Sequence, residues 1–243
     1  MVYDAARKQV VLFGGVDENG EMRDDTWILE GAAWKHLSLA VSPSPRTAAV
    51  MAYDSRTQEV VLFGGEIYAG GMSLTEKLND TWIWDGVKWS QRRTDVAPIA
   101  RVDAGRVYDA ARGRTVLFGG YGEVRGGHQN DTWTWDGETW TEQQSSESPR
   151  PQQSPNLVYD GSRKQVVMFA GLNSSGNIVP ATWIWNGVEW TQLRRDNSPT
   201  EVGTVSAYDA THSVVAYSTP GDKYATPESQ TWLWDGKTWT FLK

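Results

Sequence analysis

The chain has 243 residues and carries 30 acidic against 23 basic side chains, a net charge of −7 with no run of basic residues. It is long enough for a full hydrophobic core and offers no electrostatic footprint for nucleic acid or an anionic membrane surface, so neither is expected as a partner. The absence of cysteine excludes a disulfide scaffold, a thiolate nucleophile and Cys-ligated metal, and is compatible with either redox compartment. With no charged leader before an apolar stretch and no run near ~18 apolar residues, a soluble chain without signal peptide or transmembrane segment is expected, and its localisation is left open.

In chain order, the first unit opens at Met1-Val2-Tyr3-Asp4 and continues through VVLFGG (10–15), DTWILEG (25–31) and Trp34. The second repeats the order at greater length, as AAVMAYD (48–54), EVVLFGG (59–65), DTWIWDG (80–86) and KWSQ (88–91). Three more units follow, so that Tyr-Asp recurs at Tyr3, Tyr53, Tyr108, Tyr159 and Tyr208, spaced 50, 55, 51 and 49 residues apart. A period of that length implies a solenoid or a propeller. All 14 tryptophans fall in this frame at three slots per unit, with Leu29 filling the only slot that lacks one.

Each unit reads as four short strands, rich in β-branched and aromatic residues and bounded by turn residues. The Asp-Gly step in NDTWIWDGVKW (79–89) marks a hairpin. A two-residue loop at Asp85-Gly86 would set Trp82 opposite Trp89, and a longer one would pair Trp84 with Trp89; both registers give a cross-strand aromatic pair. Helix is expected to be nearly absent. The recurrence of the tryptophans at fixed positions assigns them to packing between units, and the Gly-Gly pairs to close backbone approach at strand ends.

Connection lengths separate two faces. From the first Trp to the last is 7 residues in every unit, and from Tyr to the Phe of the second strand is 10 in four units and 9, to Tyr217, in the fifth. Between second and third strands the count is 10, 15, 11, 10 and 11. In an up-and-down meander one face is therefore fixed in form and the other varies, and function is expected on the varying face.

The Phe-Gly-Gly ends (63–65, 118–120), Asn79-Asp80-Thr81-Trp82, the spaced Trp89 and the links Ser44-Pro45-Arg46 and Ala100-Arg101 resemble the kelch repeat, of the bacterial kind grouped with the galactose oxidase central domain. The resemblance spans the whole chain. It implies an all-β fold, a β-propeller of five four-stranded antiparallel kelch-like blades in one domain (blades about 1–46, 47–101, 102–150, 151–200 and 201–243), with the first strands nearest the axis. The first strand of unit one is short. The chain starts at a first strand and ends at a fourth, so the expectation is five blades closing edge to edge, with a truncated larger propeller as the rival.

Candidate ligand-binding residues are those that break the repeat or sit in variable loops. Asp103 and Arg106 stand where unit two has Ala48 and Met51, with an internal ion pair as the bland alternative. Tyr68 lies in EIYAGGMSLTEKL (66–78), Tyr121, Arg125 and His128 in YGEVRGGHQ (121–129), and Tyr224 in GDKYATPESQ (221–230). Arg101 occupies the linker arginine position, for which bonding to neighbouring loops is the first expectation. Asp25, Asp80 and Asp131 are expected to cap loop amides rather than ring a cation. The three histidines fall at different levels of different units, so no metal site and no cofactor are expected.

The expected function is a non-catalytic binding scaffold, a monomer that recognises a protein segment or a glycan at its variable face. Two alternatives stand beside it. One is a sugar mutarotase or epimerase using Asp103 with Arg106 or His128 as an acid/base pair; the copper oxidase chemistry of the resembled enzyme needs a cysteine that this chain does not have. The other is a structural spacer within a longer protein.

Overall fold

In the computed structural model, which describes residues 1–68, 75–122, 127–193, 197–200, 205–219 and 229–242, the five units form five four-stranded antiparallel sheets arranged as a β-propeller. No helix occurs among the described residues. Blade 1 comprises Val2–Asp4, Gln9–Val16, Met22–Glu30 and Ala33–Leu37; blade 2, Val50–Asp54, Glu59–Phe63, Thr81–Trp84 and Trp89–Arg92. Blade 3 comprises Gly105–Asp109, Arg114–Phe118, Thr132–Trp135 and Trp140–Gln143; blade 4, Asn156–Asp160, Gln165–Phe169, Thr182–Trp185 and Trp190–Leu193. Val205–Asp209, Val214–Thr219, Gln230–Trp234 and Trp239–Leu242 complete blade 5. The first strands of successive blades touch one another, which puts them innermost.

The hairpin register is settled in favour of the longer loop. Trp84 pairs with Trp89, Trp135 with Trp140, Trp185 with Trp190 and Trp234 with Trp239. Their rings lie 5.3 to 5.5 Å apart in tilted pairs, a geometry worth about 0.5–1.5 kcal/mol beyond the area buried. The Asp85 carboxylate accepts from the amides of Val87 and Lys88, which fixes the turn. Sequence spacing mismatched one strand: Tyr217 sits in the row of Leu62, opposite Trp232 as Leu62 is opposite Trp82, so Ser218 is the counterpart of Phe63.

Each blade has a trailing face toward the next unit and a leading face toward the previous one, and four junctions of these faces are built to one plan. The last Trp of a blade donates its indole N–H to the Thr that precedes the first Trp in the third strand of the blade before. Trp89 bonds Thr26, Trp140 bonds Thr81, Trp190 bonds Thr132 and Trp239 bonds Thr182, at 2.8 to 2.9 Å. The same Trp meets the edge of the preceding blade's Phe, with Phe13–Trp89, Phe63–Trp140, Phe118–Trp190 and Phe169–Trp239 centroids 4.6 to 5.4 Å apart. Burying one such indole contributes roughly 4–6 kcal/mol at ~25 cal/mol/Å².

On the fixed face an arginine in the first turn of blades 1 to 4 locks the same junction. Arg7, Arg56, Arg112 and Arg163 are held by Asp4, Asp54, Asp109 and Asp160, two to three residues before them. Arg7, Arg56 and Arg163 donate to the carbonyls of Asp85, Asp136 and Asp235 in the following blade, and Arg112 to that of Lys164. The guanidinium lies over the turn glycine so closely that a Cβ on Gly86 would come 2.0 Å from Arg7, and one on Gly187 1.8 Å from Arg112. These glycines are fixed by the neighbouring arginine as well as by their positive φ.

Four junctions cover both faces of blades 2, 3 and 4. In blades 1 and 5 the second strand alternates buried and half-buried residues, whereas the last four residues of that strand in blades 2 to 4 are all buried. No junction of this plan joins blade 5 to blade 1 among the described residues. Trp34 is 45% exposed where its four counterparts are 2–4% exposed. The expected edge-to-edge closure is therefore not carried by the contacts that hold the other blades.

This difference makes Thr132 and Thr231 unequal although they occupy the same repeat position. Thr132→Val leaves the Trp190 N–H buried without an acceptor and is expected to lower unfolding free energy by about 1–3 kcal/mol. Thr231→Val, on the face of blade 5 against which no further blade docks among the described residues, is expected to change it by less than about 0.5 kcal/mol. Urea denaturation of the two variants checks both values.

Candidate functional site

The variable face begins where each second strand ends. Gly64 and Gly119 adopt positive φ, and a Cβ there would lie 2.7 and 2.6 Å from the carbonyl oxygens of Arg101 and Gln152, in the linker that leads to the next blade. The expected close backbone approach is thus a linker crossing over the Gly-Gly step. Backbone bonds from Gly65 to Arg101 and from Gly120 to Gln152 fix the crossing.

Into each crossing the linker arginine turns inward. Arg46 donates to both carboxylate oxygens of Asp80, to the Gly64 carbonyl and to Ser44, and Arg101 does the same with Asp131, Gly119 and Ile99. Trp82 and Trp133 donate their indole N–H to the same carboxylates at 2.7 Å. The aspartates expected to cap loop amides instead clamp the linker. Burial alone would raise the Asp80 and Asp131 carboxyls, but bonds from arginine and indole outweigh it and hold both below the ordinary carboxylate range. The Arg101 side chain is fully buried and spent on this clamp, which matches the bonding role first expected for it and leaves it no surface for a ligand.

On this frame the variable segments stand as short ribbons, which the four-strand reading of each unit did not foresee. Glu66–Tyr68 pairs with Thr75–Lys77, Arg101–Val102 with Tyr121–Gly122, and Gly171–Leu172 with Ile178–Val179. Tyr68 ends the first ribbon, exposed. Tyr121 is exposed too. It stacks edge-on against His128 at 5.3 Å, and the Lys77 ammonium of the neighbouring ribbon lies 5.1 Å from its ring centre. This aromatic and cationic cluster joins the loops of blades 2 and 3.

His128 also faces the other way. With Arg150, Pro151, Asn173, Ser174, Ile178, Val179 and Pro180 it lines a cleft of about 540 Å³ between the loops of blades 3 and 4. Its Nε2 is buried and makes no hydrogen bond among the described residues. The cleft combines apolar walls with a guanidinium and amide groups, the make-up of a recognition site.

Asp103 and Arg106 do not form the internal ion pair that was the bland expectation. Asp103 is half-buried at φ +53°, the left-handed conformation that Ala48 and Ser154 share at the same linker position, and its backbone accepts from the Ser154 amide at 2.7 Å. Burial and the nearby Glu66 carboxylate push its own carboxyl above the usual range. Arg106 extends from the innermost strand of blade 3, donates to the Met51 carbonyl at 3.2 Å and keeps an exposed surface. Neither residue bonds His128 among the described residues. Arg125 and Tyr224 lie outside the described residues. Among the described residues no group of three or more His, Asp or Glu side chains gathers as a metal site would require.

No family model matches the chain. Over 150 residues it is 31% identical to an F-box/kelch-repeat protein of Arabidopsis thaliana, a match covering 55% of this chain and 30% of that protein. The chain therefore spans less than a third of that relative's length.

The linker clamp generates a pH-dependent prediction. Asp80 and Asp131 titrate lower in the folded state, so their contribution is complete above the ordinary carboxylate value of 3.8 and disappears as pH falls through the lower folded value. Arg46→Met, which strands the Asp80 carboxylate, is expected to cost about 3 kcal/mol at pH 7, and this loss should shrink below pH ~4 where the carboxylate protonates. Thermal melts from pH 7 to pH 3 of both proteins give the comparison. Repeat order and blade plan make this chain a five-bladed β-propeller, similar over 150 residues to a kelch-repeat protein.

Proposed function

We propose that the protein is an interaction scaffold that holds a segment of another protein across the variable-loop face, with Tyr68, Tyr121, Lys77 and His128 as contacts and the cleft beside Arg150 as its pocket. The observation that carries this reading is the division of labour between residues. The recurrent side chains are consumed by blade junctions and linker clamps, while the exposed aromatic and cationic groups on ribbons belong to single blades. Rigid sheets presenting an exposed Tyr pair, a lysine and an apolar cleft suit a polypeptide, for which aromatic anchors and a few charged groups supply most of the affinity. The kelch-repeat relative is consistent with this reading. Asp103 would present there a half-buried carboxyl group, and Arg106 a positive charge on the innermost strand of blade 3. Arg125 and Tyr224 are proposed as further contacts on sequence grounds alone.

The aromatic ring of Tyr121, exposed on one side, favours a glycan as the second reading, since a sugar face stacks on such a ring.

Selection of the full chain against a displayed peptide library and, in parallel, against a glycan array separates the two. Peptides that bind, and that lose about tenfold or more in affinity on Tyr121→Ala or His128→Ala, are the expected result; loss of one anchor costs about 1–3 kcal/mol. Binding on the glycan array alone would replace the protein segment with a sugar. Peptides insensitive to both changes would place the interaction elsewhere.

A further inference from the structure

The leading face of blade 1 keeps nearly every group that the leading faces of blades 2 to 5 use at their junctions, and among the described residues none of them is engaged by another blade. Tyr3, Trp27 and Trp34 correspond to Tyr53, Trp82 and Trp89, and Val10 and Leu12 to Val60 and Leu62. The Tyr53 hydroxyl accepts from the Ala6 amide of the preceding blade, and the Tyr208 hydroxyl from that of Ser162. Tyr3 is 54% exposed with no such bond. Nothing lies within 4 Å of the Cβ position of Gly31, where the turn glycines of the other blades lie beneath an arginine.

The linker clamp is missing at the same face. In blade 2 the guanidinium of Arg46 sits between Asp80, Trp82 and the Gly64 carbonyl. The corresponding place in blade 1 is a cleft of about 590 Å³ lined by Leu12, Gly14, Asp25, Trp27 and His36, and by Arg23, whose charge is already met by Asp17. Asp25 receives the Trp27 indole N–H at 2.9 Å, as Asp80 receives that of Trp82, but is bonded by no arginine among the described residues.

The trailing face of blade 5 differs in kind. Ser218 stands at the row of Phe63 and Phe169, Ala216 at that of Val61 and Val167, and His212 at the place of the first-turn arginine. Its knobs are smaller than those in the same rows of blades 2 and 4, whereas the leading face of blade 1 keeps its large apolar groups.

We propose that the leading face of blade 1 is a docking surface for one further kelch-type repeat unit, of the kind blades 2 and 3 represent, followed by an arginine-bearing linker. Four junctions on this molecule specify the occupant. Its Phe meets the Trp34 ring, its Thr hydroxyl accepts from the Trp34 indole, and its first-turn arginine covers Gly31. The linker arginine enters the cleft and pairs with Asp25, which gives the site its charge complementarity.

The test places a duplicate of residues 47–105 ahead of Met1 of the full chain, so that Arg101 of the duplicate stands seven residues before Tyr3, the spacing of Arg46 and Tyr53. High effective concentration then favours docking if the faces match. In the extended protein Trp34→Ser should raise the unfolding equilibrium constant by roughly a hundredfold or more, the scale of a core aromatic deletion. In the 243-residue chain the same change should alter it by less than about threefold. Asp25→Asn, a milder change, should be felt only in the extended protein, and acrylamide quenching should show Trp34 newly shielded there, by comparison with Trp34→Ser. A Trp34 that stays accessible, with Trp34→Ser equally mild in both proteins, overturns the proposal. Sedimentation velocity of the unextended chain provides the other arm. A monomer is expected; self-association abolished by Trp34→Ser would make the occupant a second copy and overturn the assignment to a separate repeat unit.

Discussion

The fold depends on one contact made four times, the insertion of the last tryptophan of a blade into the Thr and Phe of the blade before it. A single four-stranded sheet of this length has two apolar faces and cannot cover either by itself. The indole solves the problem twice over. Its ring supplies the largest apolar surface available to one residue, and its N–H finds an acceptor in a threonine whose position one residue ahead of Trp27, Trp82, Trp133 or Trp183 is fixed by the strand. A turn arginine then fastens each junction over a glycine, and at the first two a linker arginine fastens the other end onto an aspartate.

Because these fastenings occupy the strand cores, both turn levels and the linkers, little of the repeated sequence is left for recognition. What remains are the segments between second and third strands, which extend as ribbons above the crossing linkers. There a tyrosine, a histidine and a lysine from two blades come together, and a cleft opens toward a third. The clamp matters to this face indirectly. Arg101 begins the short strand that pairs with Tyr121–Gly122, so the residue that locks blade 3 to its linker also sets the base of the ribbon bearing Tyr121.

Much of the architecture was legible in the sequence because a repeat multiplies each signal. Strand number, the packing role of the tryptophans, the Gly-Gly approach and the division into fixed and variable faces all follow from residues that recur in the same slot. Partners were harder to read. The first-turn arginines are visible in YDAAR (3–7), YDSR (53–56), YDAAR (108–112) and YDGSR (159–163), yet their acceptors lie about 50 to 80 residues away in another blade. Periodicity shows that a side chain recurs and not what it touches. The same limit explains Asp80 and Asp131, whose place before Thr-Trp resembles a loop cap while their bond runs back 34 and 30 residues to a linker. At the candidate site the loops do not repeat, so nothing in the sequence announced that Tyr121 and His128 stack or that Asp103 and Arg106 stand unpaired.

The central claim is that stability resides in the junctions, so that a blade is as firmly held as the number of its faces that are covered. Native-state hydrogen exchange followed by mass spectrometry measures this blade by blade. The account predicts the slowest exchange in the second strands of blades 2, 3 and 4, Glu59–Phe63, Arg114–Phe118 and Gln165–Phe169, and measurably faster exchange in Gln9–Val16 and Val214–Thr219. Equal protection in all five second strands would contradict it, since blades 1 and 5 would then be held by something other than the contacts described.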